Sequence, residues 1–155
     1  MTERLNYAQA SPEGIRALLG LERHVHGTGL EPALLELVKM RASQLNGCAY
    51  CLDMHSKDAR AAGEGEQRLY ALTAWREAPF YSERERAALA WTEAVTRLAD
   101  GPVEDACYDA LRRHFDEKQT VDLAFAVIAI NSWNRLAAVF HSPKPGSYQV
   151  PKRER

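Results

Sequence analysis

The segment from Asp116 to about Phe140 constrains the fold of this chain more than any other stretch. Asp116 is of a residue type that caps helices, and Gln119 stands at the third position of the helix that would follow. The middle of the segment, LAFAVIAI at residues 123–130, is apolar on every side of a helix. A helix without a polar face is usually buried, so we expect this one to lie at the centre of the molecule.

Proline, glycine and capping signals divide the rest of the chain into further helical segments. Helices are predicted from Ser11-Pro12 to near His24, from Glu31-Pro32 to a break at Asn46-Gly47, from Cys48 to Ala62, from Glu66 to Trp75, from the SERE capping box at 82–85 to near Leu98, and from Pro102 to His114. No segment alternates between polar and apolar residues as a half-buried strand does. The sequence therefore predicts an all-α fold.

The chain is predicted to form one helical domain over residues 1–142, followed by a tail over residues 143–155. The tail contains three prolines and ends in basic residues. By itself such a segment is extended or disordered. The alternative is an arm that lies on a neighbouring subunit.

Composition limits the class of partner and the compartment. The chain has 155 residues, 46% of them hydrophobic and 26% charged, with a formal net charge of -1, so no field favours nucleic acid or an acidic membrane surface. The longest uninterrupted apolar run, residues 123–130, is too short to span a bilayer, and residues 1–14 contain no apolar export signal. We therefore expect a cytoplasmic protein, in which thiols stay reduced and a CxxC pair is catalytic or metal-binding.

The stretch NGCAYCLDMH, residues 46–55, carries the side chains best suited to chemistry. On a helix, Cys48, Cys51 and His55 share one face, because positions three, four and seven apart stack. His55 leans back toward Cys51, where an imidazole can take the proton of a thiol and leave the nucleophilic thiolate. Cys48 would stand at the helix start, where unpaired N–H groups also favour a thiolate.

Glu36 is predicted to complete this group. If the helices on either side of Asn46-Gly47 form an antiparallel hairpin, residue 38 is level with His55, and Glu36 lies roughly 3 Å further along the axis. Its carboxylate would fix the tautomer of the imidazole and stabilise the imidazolium, as carboxylates do in other triads. Because Glu36 leans away from the turn, a bridging water is one way to close the remaining distance.

The spacing of Glu36, eleven residues, CAYC, three residues and His55 resembles the core motif of the alkylhydroperoxidase AhpD. The wider group is the carboxymuconolactone decarboxylase-like family. The segments ASPEGIRALLGLERHV, FYSERERAALAWTEAVTRL and INSWNRLAAVF are also similar to single-domain, AhpD-like members, so the resemblance covers Leu5 to Phe140. It implies an AhpD-like helical domain whose central helix hairpin carries the CxxC motif, assembled as a homotrimer or hexamer.

The resemblance also implies a role for each residue of the motif. Cys51 would be the peroxidatic cysteine, Cys48 the resolving cysteine, and His55 with Glu36 the proton relay. The Cys51 thiolate would reduce an organic hydroperoxide, and its sulfenic acid would condense with Cys48 to a disulfide. A dithiol donor, such as a lipoyl domain or a thioredoxin-like protein, would reduce that disulfide, and the scheme requires no metal or bound cofactor. AhpD has a histidine at the position of Tyr50, which can donate a hydrogen bond but is no base near neutral pH.

Other interpretations of the same side chains stay open at this point. The helix start favours Cys48 as the reactive thiol, whereas His55 and the resemblance favour Cys51. The cysteines are alternatively core residues, or zinc ligands together with His55 and either His24 or His26. The protein would then be a redox sensor or a zinc-binding interaction protein. The family name also allows decarboxylase-like acid–base chemistry on a small acid.

The remaining polar, aromatic and sulfur-containing residues are interpreted as structural. Cys107 is predicted to be a small core residue, and the three tryptophans to be core or interface anchors: Trp75, Trp91 and Trp133. A polar network, or else contact with a neighbouring active site, is predicted for Asn131, Asn134 and Arg135. Lys39 and Arg41 are predicted to lie on the solvated face of the second predicted helix.

Overall fold

The computed structural model describes residues 2–151, and every regular element in that range is a helix. The α-helices are α1 (Tyr7–Ala10), α2 (Pro12–His26), α3 (Pro32–Asn46), α4 (Ala49–Ala61), α5 (Glu66–Ala71), α6 (Glu83–Thr96), α7 (Asp105–Arg112) and α8 (Glu117–Phe140). Single turns of 3₁₀-helix follow α5 at Leu72–Ala74 and α6 at Leu98–Asp100. The all-α prediction is confirmed.

The long helix α8 lies at the centre of the fold and packs against α2, α3, α4, α6 and α7. Its buried side chains include Leu123, Val127 and Ile130. By length and composition α8 is apolar enough to cross a membrane, with a mean hydropathy of 1.5. Its packing against five other helices accounts for this apolar sequence as that of a core helix.

Two helices begin with the reciprocal capping that their sequences suggest. At α6 the Ser82 hydroxyl accepts a hydrogen bond from the Glu85 backbone N–H at 3.3 Å, and the Glu85 carboxylate accepts one from the Ser82 N–H. At α8 the Asp116 carboxylate accepts a hydrogen bond from the Gln119 backbone N–H at 2.8 Å, and the Gln119 side-chain oxygen accepts one from the Asp116 N–H at 3.2 Å. These caps satisfy N–H groups that have no partner inside the helix.

Other boundaries differ from the sequence prediction. The helix predicted to start at Pro102 begins at Asp105, with Glu104 as its N-cap. The fixed φ of proline suits an extended connection as well as a first helical turn, so Pro102 alone does not define the start. The segment Glu66–Trp75, predicted as one helix, changes to 3₁₀ geometry after Ala71. Helix α1 was not predicted, because a helix of 4 residues shows no hydrophobic period.

Residues 143–151 contain no helix or strand and lie along α4 of the same chain. Tyr148 donates a hydrogen bond from its hydroxyl to the Asp58 carboxylate at 2.7 Å, and its carbonyl accepts one from Lys57 at 3.0 Å. The Gly146 N–H donates to the Asp53 carboxylate at 3.2 Å. An arm on a neighbouring subunit stays a prediction, and residues 152–155, the basic end of the tail, lie outside the described residues.

Candidate active site

Helices α3 and α4 form the hairpin that carries the CxxC motif. Helix α3 ends at Asn46, and Gly47 turns the chain with φ of 64°, a left-handed conformation that glycine adopts without the cost of a Cβ. Cys48 is the N-cap of α4, and its Sγ accepts a hydrogen bond from the Cys51 N–H at 3.3 Å. The turn therefore sets both cysteines at the start of α4, beside the end of α3.

Cys48 and Cys51 are joined in a disulfide, with their Cα atoms 5.4 Å apart. Both residues are buried. Cys107, on α7, is free and half-buried, and burial raises the pKa of its thiol. The chain thus contains one disulfide, Cys48–Cys51, and one free thiol, that of Cys107 on a different helix.

His55 lies one turn after Cys51 on α4 and contacts Glu36 of α3 directly. The distance from its Nδ1 to Glu36 Oε2 is 2.8 Å, and both side chains are largely buried. The two methylenes of Glu36 span the axial offset expected from the hairpin, so no bridging water is needed. Because an ionised carboxylate only accepts hydrogen bonds, Nδ1 carries the hydrogen and Nε2 is left as the basic nitrogen.

Lys39 and Arg41 do not lie on a solvated face, and this part of the sequence interpretation is wrong. Lys39 is 2% exposed and donates a hydrogen bond to Glu22 of α2 at 2.6 Å. Arg41 donates from Nε to Glu93 of α6 at 2.7 Å. Helix α3 packs against α4, α6 and α8, so it has almost no free face, and its charged residues need partners from other helices.

The CxxC turn opens onto two cavities. The first, of about 330 Å³, is bordered by Cys51, His55 and Glu36 and has a mainly apolar wall formed by Leu19, Met54, Ile130, Trp133, Ala137 and Pro143. The second, of about 400 Å³, is bordered by Cys48 and by tail residues Pro143, Lys144 and Pro145. The two cysteines of the disulfide therefore border different cavities.

Tyr50 borders both of these cavities. Burial raises the pKa of its hydroxyl, and the carboxylates of Asp53 and Asp58 raise it further. The hydroxyl therefore stays protonated near neutral pH, where it can donate a hydrogen bond to a bound molecule but cannot act as a base.

A network of side-chain amides holds the CxxC turn against the central helix. Asn46 donates from Nδ2 to Asn134 Oδ1 at 2.8 Å and lies 3.0 Å from Asn131 Oδ1. Asn134 in turn donates to Ser43 Oγ at 3.0 Å, and Arg135 donates to Asn131 Oδ1 at 2.7 Å. A polar network within the chain is therefore observed for this group, and contact with a neighbouring subunit's active site stays a prediction.

The two histidines considered as zinc ligands have other partners. His24 Nε2 lies 3.4 Å from Asp122, and His26 Nε2 lies 3.3 Å from both Glu22 and Lys39. Within residues 2–151, no group of three or more His, Cys, Asp or Glu side chains is arranged to hold a metal ion.

The sequence interpretation missed Glu22, Lys39 and His26, all of which border the first cavity. One signal was available, since Glu36 and Lys39 are three residues apart on a helix and side chains at that spacing are neighbours. Glu22 and His26 come from α2, and nothing local in the sequence brings that helix to the motif.

Comparisons with known proteins agree with this architecture. The profile of the Carboxymuconolactone decarboxylase family matches residues 11–94. The chain is 44% identical over 137 residues to the uncharacterized protein YdfG of Bacillus subtilis (strain 168), which covers 88% of this chain and 93% of YdfG.

Solved structures are similar over most of the chain. ATU0492 of Agrobacterium tumefaciens, a protein of unknown function with a suggested assignment as the antioxidant defence protein AhpD, is 44% identical with a TM-score of 0.88, over 97% of this chain and 99% of its own. The debrominase Bmp8 in its apo form is 25% identical with a TM-score of 0.77, over 86% of this chain and 72% of its own.

Proposed function

The chain belongs to the carboxymuconolactone decarboxylase family, and we propose that it is a thiol-dependent peroxidase that reduces organic hydroperoxides. One observation carries this proposal. A closed Cys48–Cys51 disulfide lies at a cavity that is also bordered by an imidazole bonded to a buried carboxylate. The similarity to ATU0492, with its suggested AhpD assignment, supports the same activity.

In the proposed cycle Cys51 is the nucleophile. His55 Nε2 takes the proton of the Cys51 thiol, and Glu36 stabilises the resulting imidazolium. The thiolate attacks the terminal oxygen of the hydroperoxide, so that an S–O bond forms and the O–O bond breaks. The alkoxide that leaves takes the proton from His55 and becomes the alcohol. Cys51 is thereby oxidised by two electrons to a sulfenic acid, and the hydroperoxide is reduced by the same two electrons.

Cys48 is proposed to resolve this intermediate. Its thiol attacks the Cys51 sulfenic acid, the S–O bond breaks, and water leaves as the disulfide forms. A dithiol donor, such as a lipoyl domain or a thioredoxin-like protein, then attacks the disulfide and is itself oxidised. Attack at Cys48 is favoured, because Cys48 borders the second cavity and attack there releases Cys51 as the thiolate beside His55.

The first cavity supports an apolar organic substrate. Most of its wall is aliphatic or aromatic, and its one ammonium, that of Lys39, is already paired with Glu22. A hydroperoxide that carries a carboxylate would meet Glu22, Glu36 and Asp58 at the polar end. Neutral hydroperoxides such as cumene hydroperoxide are therefore the proposed substrate class.

Substitution of each cysteine tests the proposal. With cumene hydroperoxide as substrate and a dithiol as donor, we expect Cys51→Ser to abolish turnover and the matched control Cys107→Ser to keep it. Wild-type turnover in the Cys51→Ser variant would overturn the assignment. Conversion of a lactone acid by the Cys48→Ser/Cys51→Ser variant, without hydroperoxide turnover by the wild type, would favour acid–base chemistry of the decarboxylase kind.

The similarity to the debrominase Bmp8 favours one competing function. The aromatic side chains Tyr7, Tyr50 and Trp133 border the first cavity and suit a halogenated ring. A brominated aromatic compound is therefore the comparison substrate. Release of bromide without turnover of any hydroperoxide would replace the peroxidase proposal.

We also propose that the protein is a cytoplasmic homo-oligomer. The cycle needs a pool of reduced dithiol, which the cytoplasm maintains. Helix α8 exposes Val121, Phe125 and Ile128 on one face, an apolar surface of the kind that subunit contacts cover. A trimer or hexamer in light scattering would support this proposal, and a monomer at micromolar concentration would contradict it.

A further inference from the structure

A row of ionisable side chains runs from His55 across α3 to the surface at α2. Glu36 uses Oε2 to contact His55, and its Oε1 lies 3.8 Å from Lys39 Nζ. Lys39 donates to Glu22 at 2.6 Å, and His26 lies 3.3 Å from both Lys39 and Glu22. The row ends in solvent, because the side chain of His26 is 57% exposed.

Lys39 is the most buried member of the row and determines how the carboxylates are shared. A buried ammonium is stable only when carboxylates or other acceptors pair with it. Lys39 contacts Glu22 at hydrogen-bond distance, whereas Glu36 is more than 1 Å further away, at 3.8 Å against 2.6 Å. Glu22 therefore holds the ammonium, and Glu36 is left free to bond His55.

The charges of the row balance when His55 is protonated. Apart from the exposed His26, the row contains two carboxylates, those of Glu22 and Glu36, and one ammonium, that of Lys39, which leaves a net charge of -1. A proton on His55 neutralises the row. Burial raises the pKa of Glu22, but Lys39, His26 and His55 together lower it below its usual value, so Glu22 is ionised near neutral pH.

We propose that Glu22 and Lys39 are positioning residues for the Cys51 thiol: Glu22 holds Lys39 away from Glu36, so that the row accepts one proton at His55. This inference rests on the proposed function of Cys51 as the nucleophile. The proton leaves Cys51 Sγ, stays on His55 Nε2, and returns to the alkoxide. Glu22 and Lys39 stabilise this intermediate charge state without contact to the substrate.

Other ionisable groups that face the row come from α1, from α4 and from the tail: Tyr7, Tyr50, Asp58 and Tyr148. Burial raises the pKa of all three tyrosines, so they are neutral. Asp58 accepts the hydroxyl hydrogen of Tyr148 at 2.7 Å. Helix α8 contributes only Ile130, Trp133 and Ala137 to this cavity. The charged side chains near His55 are thus Glu22, Glu36, Lys39 and Asp58, and the first three belong to the row of contacts that leads to His55.

The test measures the reactivity of Cys51 without any hydroperoxide. In the reduced full chain with Cys48→Ser and Cys107→Ala, alkylation of Cys51 by iodoacetamide is followed by mass spectrometry as a function of pH. We expect Glu22→Gln to move the midpoint of the rate profile up by about one pH unit, because the released Lys39 ammonium then competes for Glu36 and weakens the imidazolium that is the partner of the thiolate.

Lys39→Met is expected to move the same midpoint down, because two carboxylates then face His55 with no cation. The double variant Glu22→Gln/Lys39→Met restores the net charge and should return close to the starting midpoint. A structural disturbance shared by the two variants would move both midpoints in the same direction, whereas a charge effect moves them in opposite directions. The control Glu13→Gln, which removes an exposed ion pair with Arg16 on the same helix, should leave the midpoint unchanged.

Shifts in the same direction, or unmoved midpoints in variants that circular dichroism shows to be folded, would overturn the inference. If Glu22→Gln alone fails to fold, Lys39→Met and the double variant still isolate the charge of Glu22, and the double variant must have the higher midpoint. Hydroperoxide turnover of the wild type is measured separately. Its absence would remove the proposed function, whereas the alkylation profiles decide the role of the row.

Discussion

Two clusters of polar and charged side chains lie on different sides of α3, and they differ in whether they border the cavity of the CxxC motif. Lys39 and Arg41 are two residues apart, which is roughly 200° around a helix. The Lys39 cluster, Glu22, Glu36, Lys39 and His55, borders the cavity of Cys51. The Arg41 cluster consists of Arg41, Trp75, Arg76 and Glu93. Two of its members, Arg76 and Glu93, border a surface depression whose lining includes neither Cys48 nor Cys51.

The Arg41 cluster is saturated with hydrogen bonds. Glu93 Oε1 accepts from Arg41 at 2.7 Å and from the Trp75 indole at 2.8 Å, and Oε2 lies 2.6 Å from Arg76. In the Lys39 cluster, His55 Nε2 has no protein partner among the described contacts, and His55 borders a cavity. Similar residues can therefore either stabilise the packing of helices or accept a proton. The difference is whether a basic atom, here His55 Nε2, has no hydrogen-bond partner.

The largest expected effect separates the two clusters by activity. Glu36→Gln should lower kcat/KM for cumene hydroperoxide on the order of 100-fold or more, because a neutral amide does not stabilise the His55 imidazolium. Steady-state kinetics measure the loss, and thermal unfolding serves as the control for folding. If Glu36→Gln kept the wild-type kcat/KM, the role of the Lys39 cluster would be structural, like that of the Arg41 cluster.

The next effect concerns stability. Glu93→Gln leaves the largely buried Arg41 without its carboxylate and should lower the free energy of unfolding by about 3 kcal/mol. Glu13→Gln, which removes an exposed pair, should change it by less than about 1 kcal/mol. Urea denaturation measures both values. The folded fraction of Glu93→Gln should keep kcat/KM within about twofold of the wild type, and a large loss would link the Arg41 cluster to catalysis.

The smallest effect is the dependence of stability on acid. Burial raises the pKa of Glu93, but hydrogen bonds from Trp75, Arg76 and Arg41 lower it below the usual 4.5 overall. A lowered pKa in the folded state gives stability that is present above 4.5 and is lost as the pH falls through the lower folded value.

We therefore expect the wild-type free energy of unfolding to decrease below about pH 4.5, with Glu22 contributing in the same direction. In Glu93→Gln the decrease should be shallower over the same range, because one of the responsible carboxylates is absent. Urea denaturation at a series of acidic pH values measures the slopes. Equal slopes in the two proteins would show that Glu93 does not contribute to the acid dependence.

Much of the fold follows from local signals in the sequence. The caps at Ser82 and Asp116 and the break at Gly47 appear where the sequence predicts them, because capping and left-handed turns involve residues close in the chain. The start at Pro102 was wrong and α1 was missed, since a proline is compatible with two backbone conformations and one helical turn has no period.

The pairing of His55 with Glu36 was also within reach of the sequence. It needs only the geometry of one hairpin whose turn is marked by Asn46-Gly47. The assignment of Lys39 and Arg41 to a solvated face failed for the opposite reason. Whether a helix face is solvated depends on the other helices that pack against it, and the packing of α2 and α6 on α3 is not set by the residues of α3 alone.

By itself, the sequence determined the all-α class, the central helix α8 and the group Cys48, Cys51 and His55 on one helix face, because helical periodicity and capping are properties of neighbouring residues. Only the tertiary structure decided that each cysteine borders its own cavity and that Glu22 of α2 pairs with Lys39 beside the site. The physical reason is that a buried charge must find its partner wherever packing brings one, and packing unites segments that the chain keeps apart.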